Sequence, residues 1–188
     1  IVEIGVRLKT LCKEDMEMFL YLQRNASLLA PAYKREKGLW EYMKPTIIEK
    51  ARDKEIRCLI YEKDNANAVG FIETSTEMKG HVGIGIAILP EYRYNGLGYA
   101  ASYSFIKYLF KNNLTDAIYW SVFRNNKSSI RIAEKLGGKC ISEGDMLERA
   151  FHVAEYKVEE NLKERVDTLR ELIYKIEPAS MEEINEQL

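Results

Sequence analysis

Two glycines give the first chemical handle. Gly96 and Gly98 fall in the run Leu89-Pro90-Glu91-Tyr92-Arg93-Tyr94-Asn95-Gly96-Leu97-Gly98-Tyr99-Ala100. Where such a run opens a helix, the first amides have no intrahelical partner and the dipole favours an anion, so the amides from Tyr94 through Tyr99 can hold a phosphate. The run is not a P-loop, which would end in Gly-Lys-Ser/Thr. Nor is it a dinucleotide fingerprint, which needs a third glycine and an acidic residue after the next strand. Here Gly98 is followed by Tyr99-Ala100-Ala101, and nucleotide hydrolysis and hydride transfer recede.

Proton transfer is the second handle. Glu73 lies among Phe71, Ile72 and Thr74. A carboxylate in apolar company has its pKa raised by desolvation toward the range useful for a general base; on the outer face of the same strand it would be only a solvated residue. His81 is either a water-linked base or a surface residue at a strand start. Tyr94, Tyr99, Tyr103, Tyr119 and Tyr156 are candidate proton donors. Of these groups Glu73 is the best candidate base. Cys12, Cys58 and Cys140 lack metal-ligand spacing and have only His81 and His152 as imidazole partners, so no metal is expected.

The elements that must carry these groups follow from periodicity. Val82 to Leu89 alternates Val82, Ile84, Ile86 and Ile88 with Gly83, Gly85 and Ala87, a strand with one face stripped of bulk. Tyr99 to Phe110 is apolar on nearly every side, as a buried helix is, with Ala100, Phe105, Ile106, Leu109 and Phe110 at helical spacings. The glycine run is thus a strand-to-helix turn. Downstream, Asn125-Asn126-Lys127-Ser128-Ser129-Ile130-Arg131-Ile132-Ala133-Glu134-Lys135-Leu136-Gly137 opens a helix on an Asn and stops it at Gly137-Gly138.

These two segments together resemble the acyl-CoA motifs of the GNAT superfamily of N-acyltransferases. Arg93-x-x-Gly96-x-Gly98-x-Ala100 is similar to its pyrophosphate loop, and the Asn126 helix to its second motif. The Asn-x-x-Ser-Ile-Arg run leans toward the ribosomal-protein N-acetyltransferase (Rim) branch. The resemblance covers roughly residues 3 to 158 and implies an α/β GNAT-like fold: a mixed, twisted seven-stranded sheet flanked by helices. It implies acetyl-CoA as co-substrate and an amine as acceptor. The implied cofactor contacts are Ile86, Ala87, Ile88, Arg93, Tyr94, Asn95, Gly96, Leu97, Gly98, Tyr99, Asn126 and Ser129, with Asn126 facing the pantetheine arm. The tyrosine with which many relatives protonate the departing thiolate is replaced by Ala133, so a non-catalytic acyl-CoA-binding module on the same scaffold is the rival reading.

Taken in order, Val2 to Leu11 alternates as a first strand, and Asp15 can cap a helix running to about Arg24. Pro31 and Pro45 bound a charged helical piece, either a solvated helix with a buried Trp40 or a substrate lid, and Thr46 to Lys54 follows as another short helix. Ile56 to Glu62 and Ala68 to Thr76 form a hairpin around a polar turn. The stripped strand, the buried helix and the strand Ala117 to Phe123 make a right-handed crossover with the two strands parallel. Further strands are expected near Lys139 to Glu143 and Phe151 to Val158. Beyond the domain of residues 1–158, Leu162, Val166, Leu169, Ile173 and Ile176 recur at spacings of four, three, four and three. This predicts a C-terminal helical extension over 159–188, which either folds back on its own domain or pairs two copies as a homodimer. Pro178 should stop it, and Ser180-x-x-Glu183 is a capping box for a final short helix.

Bulk properties agree with one soluble domain large enough for a real core. The 188 residues are 46% hydrophobic and 30% charged with a net charge of −1. With Lys and Arg spread along the chain, there is no electrostatic footprint for nucleic acid or an anionic membrane. Three cysteines, odd in number and without CxxC spacing, no signal peptide and no long apolar run point to a cytoplasmic protein.

The chemistry expected is direct attack on bound acetyl-CoA. Only a neutral amine attacks a thioester, and neutralising it near pH 7 costs about 1.4 kcal/mol for an α-amino group against about 4.6 kcal/mol for a lysine-like one. A site without an obvious strong base suits the former. A backbone N–H near Ile86 to Ile88, freed by the small-residue face or a local bulge, would polarise the carbonyl, and Glu73 would collect the proton.

Overall fold

The computed structural model describes residues 5–63, 65–76, 80–145 and 170–181. Its strands are β1 (Val6–Thr10), β2 (Arg57–Glu62), β3 (Gly70–Ser75), β4 (Val82–Ile88), β5 (Ile118–Phe123), β6 (Lys139–Asp145) and β7 (Arg170–Ile176). Its helices are α1 (Met16–Ala26), α2 (Ala30–Arg35), α3 (Leu39–Lys50), α4 (Leu97–Lys111) and α5 (Lys127–Lys135). The strands form one seven-stranded sheet in the order β1-β2-β3-β4-β5-β7-β6. Neighbours are antiparallel except β4 and β5, which run parallel across the α4 crossover.

Alternation along the strands splits the core in two. Ile60, Ile72, Ile88, Ile118, Trp120, Val122, Tyr174 and Ile176 point to the back face, where Leu97, Ala101, Phe105, Ile106 and Leu109 of α4 and Ala133 of α5 cover them. Leu59, Tyr61 and Phe71 point to the front face, under Phe19, Leu22 and Ala26 of α1. Phe19 meets Phe71 edge-on at 5.3 Å between ring centroids. The helix α4 is amphipathic rather than buried all round: Ser104, Lys107, Tyr108 and Lys111 lie on an exposed stripe.

Several expected boundaries move. Pro45 sits inside α3 instead of ending a helix, so the pieces expected on either side of it are one element. Proline removes the amide that would bond the Glu41 carbonyl, but both residues are exposed and water can serve that group. Trp40 is buried and meets Tyr33 edge-on at 5.1 Å, which fastens α3 to α2. Asp15 stands at the N-cap of α1, yet its carboxylate turns back to accept from the Cys12 amide at 3.1 Å, so it closes the preceding turn.

The larger correction concerns the C-terminal segment. Ile173 and Ile176, read from sequence as part of a helical seam, lie in β7, which inserts between β5 and β6. They are 3% and 0% exposed, so neither remains for a helix-mediated dimer. Residues 170–176 thus belong to the domain's sheet and not to an extension beyond residue 158. Leu162, Val166 and Leu169, and the strand expected over 151–158, lie outside the described residues. Residues 178–181 form a helical turn that begins at Pro178 rather than after it, as proline's fixed φ allows in a first turn.

Candidate active site at the divergence of β4 and β5

The strands β4 and β5 pair only through Val82↔Ile118 and Gly83↔Tyr119 and then part. What lines the gap follows from hydrogen-bond alternation. The Thr74 amide donates to the Ile56 carbonyl at 2.9 Å, so alternate residues of β3 serve β2, while Phe71, Glu73 and Ser75 face Ala87, Gly85 and Gly83 of β4. The peptide groups of Ile84, Ile86 and Ile88 therefore point toward β5, and past the last pair the N–H groups of Ile86 and Ile88 have no backbone partner among the described residues. No bulge is involved, because the β3–β4 register runs without a shift; divergence alone frees the amides. Ala87 differs from its two neighbours: its peptide group faces β3, and its side chain packs toward the α1 cluster.

A cavity of about 920 Å³ occupies this gap. It reaches from the C-terminal end of α1 and the start of α2, past Ile84 to Ile88 and Trp120 to Phe123, to the starts of α4 and α5. At one end the glycine loop is shaped by two left-handed residues, Tyr94 at φ 66° and Gly96 at φ 86°. Gly96 is the N-cap of α4. The Leu97 amide bonds the Asn95 side chain at 3.3 Å, and the Gly98 and Tyr99 amides emerge at the helix end, where no earlier turn can accept from them. The absent side chain of Gly98 has a separate cause: a Cβ there would lie 3.1 Å from Ile132 Cδ1, so it lets α5 approach.

Arg93, expected to meet the cofactor, donates Nε to the Ile88 carbonyl at 2.8 Å and Nη2 to the Ala26 carbonyl at 3.2 Å. It ties the loop to the ends of β4 and α1 while still lining the cavity. Asn126 and Ser129 line it too, each with a structural duty: Asn126 Oδ1 accepts from the Ser129 amide at 3.2 Å as the cap of α5, and Ser129 Oγ accepts from Trp120 Nε1 at 2.8 Å. Lys34, Arg131 and Lys135 add positive charge to the walls. Loop amides, nearby cations and unpaired strand amides are the donor set that a diphosphate on an extended amide-bearing arm requires.

The proton-transfer candidates are sorted by the same geometry. Tyr94 and Tyr99 line the cavity; Tyr94 is 90% exposed, whereas burial raises the Tyr99 hydroxyl above its ordinary value. His81 is exposed and stacks on Tyr119 at 4.0 Å, at the closed end of the strand pair. Ala133 is fully buried in the back core. Tyr156 lies outside the described residues.

Glu73 stands on the front face opposite Gly85, where a Cβ would come within 3.6 Å of its Oε1. Its Oε2 accepts from Arg57 Nε at 2.7 Å. Arg57 is itself only 6% exposed and also bonds Asp53 and Glu55, each at 2.6 Å. Burial raises the Glu73 carboxyl above the usual glutamate range; Arg57 pulls it down, and Glu55 and Asp53 push it back up. One guanidinium shared among three carboxylates cannot neutralise all of them, so burial prevails.

Sequence reading missed one carboxylate. Glu171 of β7 is 7% exposed, opposes Phe123 of β5 and accepts a hydrogen bond from Ser121 Oγ. Among the described residues lining the cavity, it is the only acid. The strand-like alternation of Glu171, Ile173 and Lys175 against Leu172, Tyr174 and Ile176 was the signal available.

A mixed seven-stranded sheet whose one parallel pair diverges, with helices on both faces, defines the α/β GNAT fold. The chain belongs to the GNAT acetyltransferase family: residues 6–139 match the family described as "Acetyltransferase (GNAT) domain". No curated protein matches the chain in sequence. Among solved structures, mutant forms of the spermidine/spermine N-acetyltransferase SpeG from Vibrio cholerae superpose with a TM-score of 0.64 at 15% identity, covering 97% of this chain and 98% of that one. A GNAT-family acetyltransferase from Bacillus anthracis superposes with a TM-score of 0.61 at 16% identity, over 92% and 94% of the two chains. At these identities the likeness speaks for the fold. Among the described residues no helix is long and apolar enough to cross a membrane, and no group of three or more His, Cys, Asp or Glu is arranged to hold a metal.

Proposed function

We propose that the protein transfers an acetyl group from acetyl-CoA to a primary amine by direct attack. The observation that carries this reading is the single cavity joining the amides at the start of α4, the unpaired amides of Ile86 and Ile88, and the front face of the sheet. When bound, acetyl-CoA supplies an acetyl group activated as a thioester. The Gly98 and Tyr99 amides, with Lys34, Arg131 and Lys135 nearby, hold the diphosphate. Ile86 and Ile88 extend the β4 edge toward the pantetheine arm and present an N–H to the carbonyl oxygen. The front face receives the amine, and Glu73 beside Gly85 accepts its proton directly or through water. The Asn126-x-x-Ser129-Ile130-Arg131 run supports placing the chain near the Rim branch, and three cysteines without a disulfide support a cytoplasmic setting.

The buried Ala133 favours a second reading, a module that binds acyl-CoA without turnover, since that position offers no proton donor. A panel of primary amines assayed by release of free CoA thiol separates the two. Amine-dependent release is expected; tight acetyl-CoA binding with no release from any amine would leave the binding module.

A further inference from the structure

One buried guanidinium stands behind the proposed base, and all three of its nitrogens are engaged. Arg57 of β2 is 6% exposed and lies opposite Glu73 in the β2–β3 register. Its Nε donates to Glu73 Oε2 at 2.7 Å and its Nη1 to Asp53 Oδ1 at 2.6 Å. Its Nη2 donates to Glu55 Oε2 at 2.6 Å and to Asp53 Oδ2 at 3.2 Å. The two outer carboxylates are anchored to backbone in turn: Asp53 Oδ1 accepts from the Glu55 amide at 2.9 Å, and Glu55 Oε1 from the Thr76 amide at 3.1 Å. The planar fork is thus fixed independently of Glu73, which a rotatable ammonium could not match.

This frame takes one oxygen of Glu73 and aims the other. With Oε2 on Arg57, Oε1 lies over Gly85, 3.6 Å from where a Cβ would stand, and Gly85 lines the cavity. The frame also limits its own effect on charge. An arginine devoted to one carboxylate would hold that group ionised and leave it a weak base, whereas here Asp53 and Glu55 compete for the same cation and oppose its pull on Glu73. The remaining surroundings of Glu73 on this face carry little charge. The β4 strand presents Gly83, Gly85 and Ala87; α1 turns Phe19 and Leu22 to the sheet and keeps Glu17 and Arg24 exposed. Lys50 of α3 is exposed and acts on Asp53.

We propose that Arg57 is a positioning residue, which holds Glu73 by Oε2 so that Oε1 stays over Gly85 to take the amine's proton, while Asp53 and Glu55 share the guanidinium so that it orients Glu73 without neutralising it. This rests on the reading of Glu73 as the base, and two readouts on the full chain keep the two ideas apart. One is the acid limb of kcat/KM, followed by CoA-thiol release. The other is the pH titration of the Glu73 carboxyl by carbon-13 NMR in the unliganded protein, assigned by its loss in Glu73→Gln. Glu55→Gln keeps an acceptor for the Thr76 amide but removes a negative charge and a competitor for Arg57, so both readouts should move to lower pH by about half a unit or more. Arg57→Lys cannot reach three carboxylates at once; both should move to higher pH, and kcat should fall about tenfold or more with the KM for acetyl-CoA unchanged. Should Arg57→Lys not fold by circular dichroism, Asp53→Asn takes its place, with a downward shift like that of Glu55→Gln. A merely structural cluster would lose stability in these variants without moving either readout, and that result overturns the positioning role while leaving Glu73 the base. A carboxyl titration that moves while the acid limb stays put, or a limb that survives Glu73→Gln, removes Glu73 as the base and the role of Arg57 with it.

Discussion

Replacing Gly96 tests the cofactor loop most directly, because its backbone conformation and its proposed ligand contacts can be perturbed to different degrees. At φ 86° and ψ −8° the residue is in the left-handed region. Asparagine visits that region readily, alanine at a cost, and a β-branched residue with more. Should the loop hold its shape in Gly96→Val, the strain of about 1 to 2 kcal/mol falls on stability, lowering Tm by roughly 2 to 8 °C for a domain of this size. Should it relax, the Gly98 and Tyr99 amides lose their alignment. A charge-assisted hydrogen bond contributes about 1.5 to 3 kcal/mol, so losing one weakens acetyl-CoA binding about 10- to 150-fold. The backbone is tied on both sides, by Arg93 to Ile88 and Ala26 and by α4 itself, so strain concentrates in the segment between. We expect acetyl-CoA affinity by calorimetry to fall in the order Gly96, Gly96→Asn, Gly96→Ala, Gly96→Val, with the last at least tenfold weaker than wild type. A Gly96→Val protein that melts earlier but binds acetyl-CoA as tightly as wild type would refute the assignment of the diphosphate to this loop.

Glu73→Gln should lower kcat/KM about a hundredfold with acetyl-CoA affinity intact, the loss typical of a general base. In the wild type the rate should fall on the acid side as pH drops through the Glu73 pKa, which burial has raised, and that limb should vanish in the variant; a limb that persists clears Glu73. The same raised pKa means the folded state holds this proton more tightly than the unfolded chain, so Glu73 contributes a loss of stability as pH rises from the ordinary glutamate range through its folded value. Ser129→Ala leaves the Trp120 indole N–H, in a residue 2% exposed, without its acceptor; denaturant unfolding should show a loss of about 1 to 3 kcal/mol. Pro45→Ala restores a donor to the Glu41 carbonyl within α3, and weighing about 3 kcal/mol for an interior proline against the greater freedom of the unfolded chain predicts a gain of about 1 to 2 kcal/mol; an unchanged unfolding midpoint would show that α3 accommodates the proline without cost.

Local sequence determined the parts whose physics is local. The glycine run specifies a loop feeding a helix, because its small residues permit the left-handed turn at Gly96 and helix-start amides are left over wherever a helix begins. Asn126 and Gly137 punctuate α5 for similar reasons, one by a side-chain cap and the other by a left-handed φ of 77°. The alternation in Val82 to Leu89 announced β4, and with the family resemblance it pointed to the side of the cavity proposed here for the cofactor. Tertiary structure alone decided the pairing of β7. Ile173 and Ile176 fit a helical seam as well as a strand, and the choice fell to β5 and β6, which supply the hydrogen bonds on both edges of β7. Strand preference is mostly a matter of such distant neighbours. Once β7 forms, Glu171 turns from a solvated helix residue into a buried carboxylate beside Ser121. The pairing of Glu73 with Arg57 has the same origin: the two residues are sixteen apart in sequence and meet only because the β2–β3 register sets them opposite each other.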